Sequence, residues 1–132
     1  MEDYEFKIIK KYPELFGKIP FDESETAMSD GFRVNDGWIP LLEEAFEKLS
    51  IVVKEKELKD FKILQVKEKF GDLRIYTTMS YNEDISSIIS ETVDKSIKTC
   101  SICSSELDKD TRSSYLMGSV CKNCFNKMEI KK

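Results

Sequence analysis

Apolar residues recur along the chain at two different periods, and the switch between them marks out the elements. Over residues 3–16, Tyr4, Ile8, Ile9, Tyr12 and Phe16 return near helical spacing, and Pro13 predicts an end or a bend near Tyr12. A second helical stretch opens at Pro40, a residue suited to a first turn. Ile39, Leu42, Ala45, Phe46 and Leu49 share one of its faces, with Glu43, Glu44, Glu47 and Lys48 opposite. Trp38 stands at its entrance and reads as a packing aromatic rather than a ligand-stacking one. A third helix is predicted over 83–98, with Asn82 as its cap and Ile85, Ile88, Ile89, Val93 and Ile97 on one side.

Between the second and third helices the period drops to two. The runs 61–70 and 73–78 flank Gly71-Asp72, which predicts a β-hairpin with those two residues as its loop. In that register Phe70 faces Leu73, Lys69 faces Arg74, Lys67 faces Tyr76 and Gln65 faces Thr78. Leu64, Val66, Phe70, Leu73 and Ile75 then form the core face, with Glu68 among them. The other face gathers Gln65, Lys67, Lys69, Arg74 and Tyr76. Residues 17–37 mix Gly17, Pro20, Gly31 and Gly37 with Asp22, Glu23, Glu25, Asp30 and Asp36, and read as a long, acidic, irregular connection.

Composition narrows the class. Apolar residues make up 40% and charged residues 35% of the 132, a globular pattern with a heavily charged surface. No apolar run reaches the roughly 18–20 residues that span a bilayer, and the acidic start lacks the basic and apolar parts of a signal peptide. The expectation is a cytoplasmic protein with reduced thiols and no membrane partner. The net charge of −4 argues against a general coat for DNA. Histidine is absent, which removes Ser-His-Asp triads, Cys-His dyads and His-ligated catalytic zinc within one chain.

Two groups of residues carry candidate chemistry. Cys100, Cys103, Cys121 and Cys124 form C-x2-C-x17-C-x2-C, a spacing suited to one structural zinc ion. Each C-x2-C turn brings two sulfurs to one side of the backbone, and two turns close a tetrahedron with no open position for water. A redox dithiol and an iron–sulfur cluster are the chemical alternatives. Residues 113–120 suit a short strand or hairpin and 125–130 a helix, the order of a treble-clef finger rather than a zinc ribbon. The second group is the hairpin's polar face. Lys67, Lys69 and Arg74 beside Tyr76 suit a phosphate and a base, against the plainer reading of a solvated face whose cations pair with acidic neighbours. The predicted fold class is therefore α+β: a helix and β-hairpin domain over 1–98, and a four-cysteine treble-clef or zinc-ribbon-like finger over 99–132.

The segments Gly37-Trp38-Ile39-Pro40-Leu41-Leu42 and Gln65–Tyr76, followed by the two C-x2-C pairs, resemble a family of small uncharacterised bacteriophage and prophage proteins. The similarity covers residues 37–124. Ser104 departs from the glycine that often follows the first C-x2-C of a zinc knuckle. The resemblance implies a phage accessory protein acting in a host cytoplasm, in which a binding role, such as countering host defence, is the expectation. Three functions compete: binding of a nucleotide signal or nucleic acid on the basic face; inhibition or adaptation of a host protein; and a metal-dependent nuclease or nucleotide hydrolase. The sequence leaves the oligomeric state open, a homo-oligomer included.

Overall fold

A computed structural model describes residues 2–17, 21, 26–107 and 119–130, with Asp30 and residues 128–130 described by backbone alone. Two short helices come first, α1 (Asp3–Lys11) and α2 (Pro13–Phe16), broken at Tyr12 where Pro13 begins the next turn. A 3-10 turn (Met28–Asp30), strand β1 (Phe32–Arg33) and a second 3-10 turn (Asp36–Trp38) lead into α3 (Ile39–Glu55). Strands β2 (Ile63–Lys69) and β3 (Asp72–Thr77) form the hairpin, and α4 (Glu83–Ile97) and α5 (Lys122–Ile130) follow. Among the described residues the fold is a small α+β arrangement of five helices and a three-stranded sheet, with a cysteine cluster near the C-terminus.

The segment before α3 departs from the irregular connection that its glycines and acids predict. Residues 18–20 and 22–25 lie outside the described residues, but Phe32 and Arg33 form a strand parallel to β2, in register with Val66 and Lys67. Parallel neighbours need a crossover, and α3 supplies it. Glu5 of α1 secures this edge: its buried carboxylate accepts the Phe32 N–H at 2.8 Å.

The hairpin forms in a register two residues from the predicted one. Lys69 lies opposite Asp72, Glu68 opposite Leu73, Lys67 opposite Arg74 and Gln65 opposite Tyr76. The loop is Phe70-Gly71, with φ of 53° and 90°. A two-residue turn of this kind needs positive φ at both positions and favours glycine at the second, so Gly71 takes that place and Phe70 is drawn into the first. Phe70 is thus 89% exposed rather than part of the core. Glu68, the polar residue on the core face, closes the turn by accepting the Gly71 N–H at 2.8 Å. Because a shift of two preserves side-chain alternation, the two faces survive the correction. An irregularity between Ile63 and Gln65 puts Ile63 in the core and leaves Leu64 half-buried.

Phe32, Ile63, Val66, Leu73 and Ile75 pack with Phe16, Phe46, Leu42, Leu49 and Ile85 of the helices. The rings of Phe16 and Phe46 meet edge to face, 5.1 Å between centroids. Asn82 caps α4 as expected, accepting from the N–H groups of Asp84 and Ile85 at 3.0 and 3.2 Å. The buried stripe of α4 is Ile85, Thr92 and Ser96, with Ile88 and Ile89 partly packed. The two hydroxyls are tolerated there because each donates within its own helix, to Ile88 and Val93 carbonyls. No helix among the described residues is long and apolar enough to cross a membrane.

Candidate functional site

The first cysteine pair lies in a knuckle. Cys100 N–H donates to the Ser105 carbonyl at 2.8 Å, Ser104 N–H to the Cys100 carbonyl at 3.0 Å, and Leu107 N–H to the Lys98 carbonyl at 2.7 Å. Ser104 has φ of 69°, the conformation for which knuckles often use glycine. Its side chain supplies a compensation that glycine cannot: Ser104 Oγ donates to the Gly37 carbonyl at 2.8 Å. The second pair sits at the start of α5, with Cys121 just before the helix and Cys124 within its first turn. This is the knuckle-then-helix order of a treble clef, while of the strand or hairpin predicted over 113–120 all but residues 119 and 120 lie outside the described residues.

The two pairs converge. Ser101 N–H donates to the Ser119 carbonyl at 2.7 Å and Cys121 N–H to Cys100 Sγ at 3.3 Å. The four ligating sulfurs lie within 4.8 Å of one another, and those of Cys103 and Cys121 are 3.7 Å apart. All four thiols are free, so no disulfide links them. A tetrahedron with metal–sulfur bonds of about 2.3 Å has edges of about 3.8 Å, so the donor set can hold one metal ion. Hydrogen bonding from Ser105 brings the Cys103 thiol down to about 6, while burial pushes Cys124 up to about 12. The backbone N–H of Cys124, 3.4 Å from Cys121 Sγ, lowers the Cys121 thiol. Cys100, Leu107 and Val120 make a small second core beneath the cluster, with Ile102 and Phe125 against it.

The finger is docked on the main core at Gly37-Trp38. Gly37 N–H donates to the Ser101 carbonyl at 2.8 Å, and Trp38 Nε1 donates to the Thr99 carbonyl at 3.1 Å. The Trp38 ring is 1% exposed, as a packing aromatic should be. A Cβ on Gly37 would stand 2.4 Å from the Cys100 carbonyl oxygen. The glycine is therefore a contact requirement: only a bare Cα lets the knuckle backbone come this close. Neither the spacing of the cysteines nor the helix pattern signals this junction.

The outer face of the sheet carries the other candidate residues. Lys67, Lys69, Arg74 and Tyr76 share it, as the alternation predicts. The predicted Lys69–Arg74 opposition is replaced by Lys67–Arg74 across β2 and β3, and β1 adds Arg33 beside Lys67. Arg33, Lys67 and Arg74 thus form a row of three cations across all three strands, about 10 Å from end to end. Asp72 joins the same face, opposite Lys69, and pairs with Arg74 at 3.5 Å. Among the described residues no carboxylate forms an ion pair with Arg33, Lys67 or Lys69. Lys67 Nζ lies 5.7 Å from the Tyr76 ring centroid, a cation–π contact that holds the ring beside the row. Sequence reasoning missed Arg33 because a two-residue parallel strand has no periodicity to detect.

No known protein family, curated protein or solved structure matches the chain.

Proposed function

We propose that this chain is a zinc-stabilised binding protein that takes a phosphate-bearing ligand, a nucleotide signal or nucleic acid, on the outer face of its sheet. The observation that carries the reading is the Arg33–Lys67–Arg74 row, in which Lys67 and Arg74 sit directly opposite one another. Like charges so placed repel, and an anion between them relieves that cost. A bare solvated face would favour alternating signs, whereas among the described residues this face holds four cations against one carboxylate in an otherwise acidic protein. Zinc suits the four-thiolate set, and the close sulfur separations favour a single ion over an iron–sulfur cluster, whose bridging sulfides spread its ligands apart. Cys100, Cys103, Cys121 and Cys124 would hold the ion, which would keep all four as thiolates and tie the finger together without taking part in chemistry. Four-thiolate zinc fits a cytoplasmic setting. A role in a phage-infected host, such as countering defence, rests on the resemblance described above.

A competing reading, an inhibitor or adaptor of a host protein, draws on Ile51 and Tyr81, which are exposed at 51% and 83% on and before the helices. Ionic strength separates the two, because phosphate binding weakens steeply with salt. The test is a binding screen of mononucleotides, cyclic nucleotides and oligonucleotides at low and moderate salt, on wild type and on Lys67→Glu/Arg74→Glu. Salt-sensitive binding lost in the double variant supports the reading. Binding unchanged by the double reversal, or no binding to any of these anions, contradicts it.

A further inference from the structure

Phe70 presents an anomaly that folding does not account for. It occupies the first position of a tight turn at φ 53°, where asparagine, aspartate or glycine is favoured and a bulky residue is strained. It also leaves 89% of itself in water, so burial does not offset that strain. An aromatic that is both strained and exposed points to a role outside the fold. Its place in the hairpin suggests which. Tyr76 stands near one end of the outer face, opposite Gln65, and is 39% exposed. Phe70 stands at the tip, five residues beyond Gln65, about 17 Å along the strands. The opposed Lys67 and Arg74, and then Lys69 nearer the tip, lie between them.

Along the hairpin the order is aromatic, cations, aromatic, with Tyr76 on the outer face and Phe70 exposed in the turn beyond it, an order that single-stranded nucleic acid can use. Phosphates meet the cations, and unpaired bases stack on rings that any base can use. A mononucleotide has one base and cannot reach both rings. A duplex keeps its bases paired and offers neither ring a face. We infer that the ligand of the outer sheet face is single-stranded nucleic acid, bound along the hairpin and past its tip, with Tyr76 on the face and Phe70 at the turn as two stacking platforms. This inference rests on the anion-binding reading above and narrows it to a polymer.

The test is fluorescence anisotropy with oligothymidylate, oligouridylate, a DNA duplex and thymidine monophosphate, on the metal-loaded full chain. The informative variant is Phe70→Asn, because asparagine suits the turn's φ and removes the ring. The expected result is single strands bound more tightly than duplex or monophosphate, and oligomer affinity reduced about tenfold in Phe70→Asn, the size of one lost stacking contact. Monophosphate binding is expected to be unchanged in that variant, and its Tm to rise. The two oligomers decide between DNA and RNA. Oligomer affinity that is indifferent to Phe70→Asn but abolished by Lys67→Glu overturns this inference and leaves the anion site standing. Indifference to both substitutions overturns both. A fall in Tm for Phe70→Asn overturns the premise that the fold does not need the ring. Loss of a protein complex in Phe70→Asn, with oligomer affinity intact, overturns it in favour of protein docking.

Discussion

Replacing Gly37 by alanine tests the junction between the finger and the core. The added Cβ would lie 2.4 Å from the Cys100 carbonyl oxygen, 2.5 Å from the Ser101 carbonyl carbon and 2.6 Å from its oxygen. All three are backbone atoms, so no rotamer change relieves the overlap, and the knuckle has to move away. Gly37 is not among the glycines with positive φ, so alanine brings no backbone penalty to confuse the result. Moving the knuckle breaks or stretches three hydrogen bonds: Gly37 N–H to Ser101, Trp38 Nε1 to Thr99, and Ser104 Oγ to Gly37. At about 1 kcal/mol net for each, the loss is about 3 kcal/mol. For a chain of this size that corresponds to a fall in Tm of roughly 10 °C. Circular dichroism melting measures the Tm, and a colorimetric chelator measures zinc release, which should be faster because the knuckle has lost its seat. A variant that melts with wild type and holds its metal equally well would refute the docking argument.

Three other outcomes follow from the geometry. Cys121→Ser should lose the metal and, with it, amide protection over 98–107 and 119–127, because zinc binding supplies on the order of 10 kcal/mol to such sites; hydrogen exchange should show the sheet and α3 still protected. With the metal bound, Cys100, Cys103, Cys121 and Cys124 should resist brief iodoacetamide treatment, and a strong chelator should make all four reactive together. Peptide mass mapping reads the four sites, and alkylation that ignores the chelator would contradict the ligand set. Glu5→Ala should cost about 1–3 kcal/mol by leaving the Phe32 N–H without its acceptor, measured by urea unfolding, and a neutral result would remove Glu5 from the account of β1.

Where local pattern determines structure, the sequence is legible. The 3.6-residue period marked α1, α3 and α4, Pro13 marked the break after α1, and Asn82 marked a cap that forms. The hairpin's faces were also legible, since alternation survives a register error of two. Its turn was not, because the usual signal is a polar residue before glycine and here Phe70 takes that position. Non-local features left no local trace. Strand β1 is two residues long and pairs with a segment more than thirty residues away, and it is what brings Arg33 into the cation row. The cysteine spacing announced the four ligands, but not that Ser104 would adopt a glycine conformation while bonding Gly37 across the molecule. The Gly-Asp signal places Asp72 in the loop, and only the true register reveals it as the carboxylate that tempers Arg74.

The central claim is that the outer sheet face is a ligand site, and amide NMR maps it most directly. Titrating isotope-labelled, zinc-loaded protein with a short oligothymidylate at low salt should move the resonances of Arg33, Lys67, Lys69, Arg74 and Tyr76 together. Those shifts should fade as salt is added, because the contacts are to phosphate. Absence of shifts on that face, or shifts concentrated around Ile51 of α3 and Tyr81 before α4, would contradict the account.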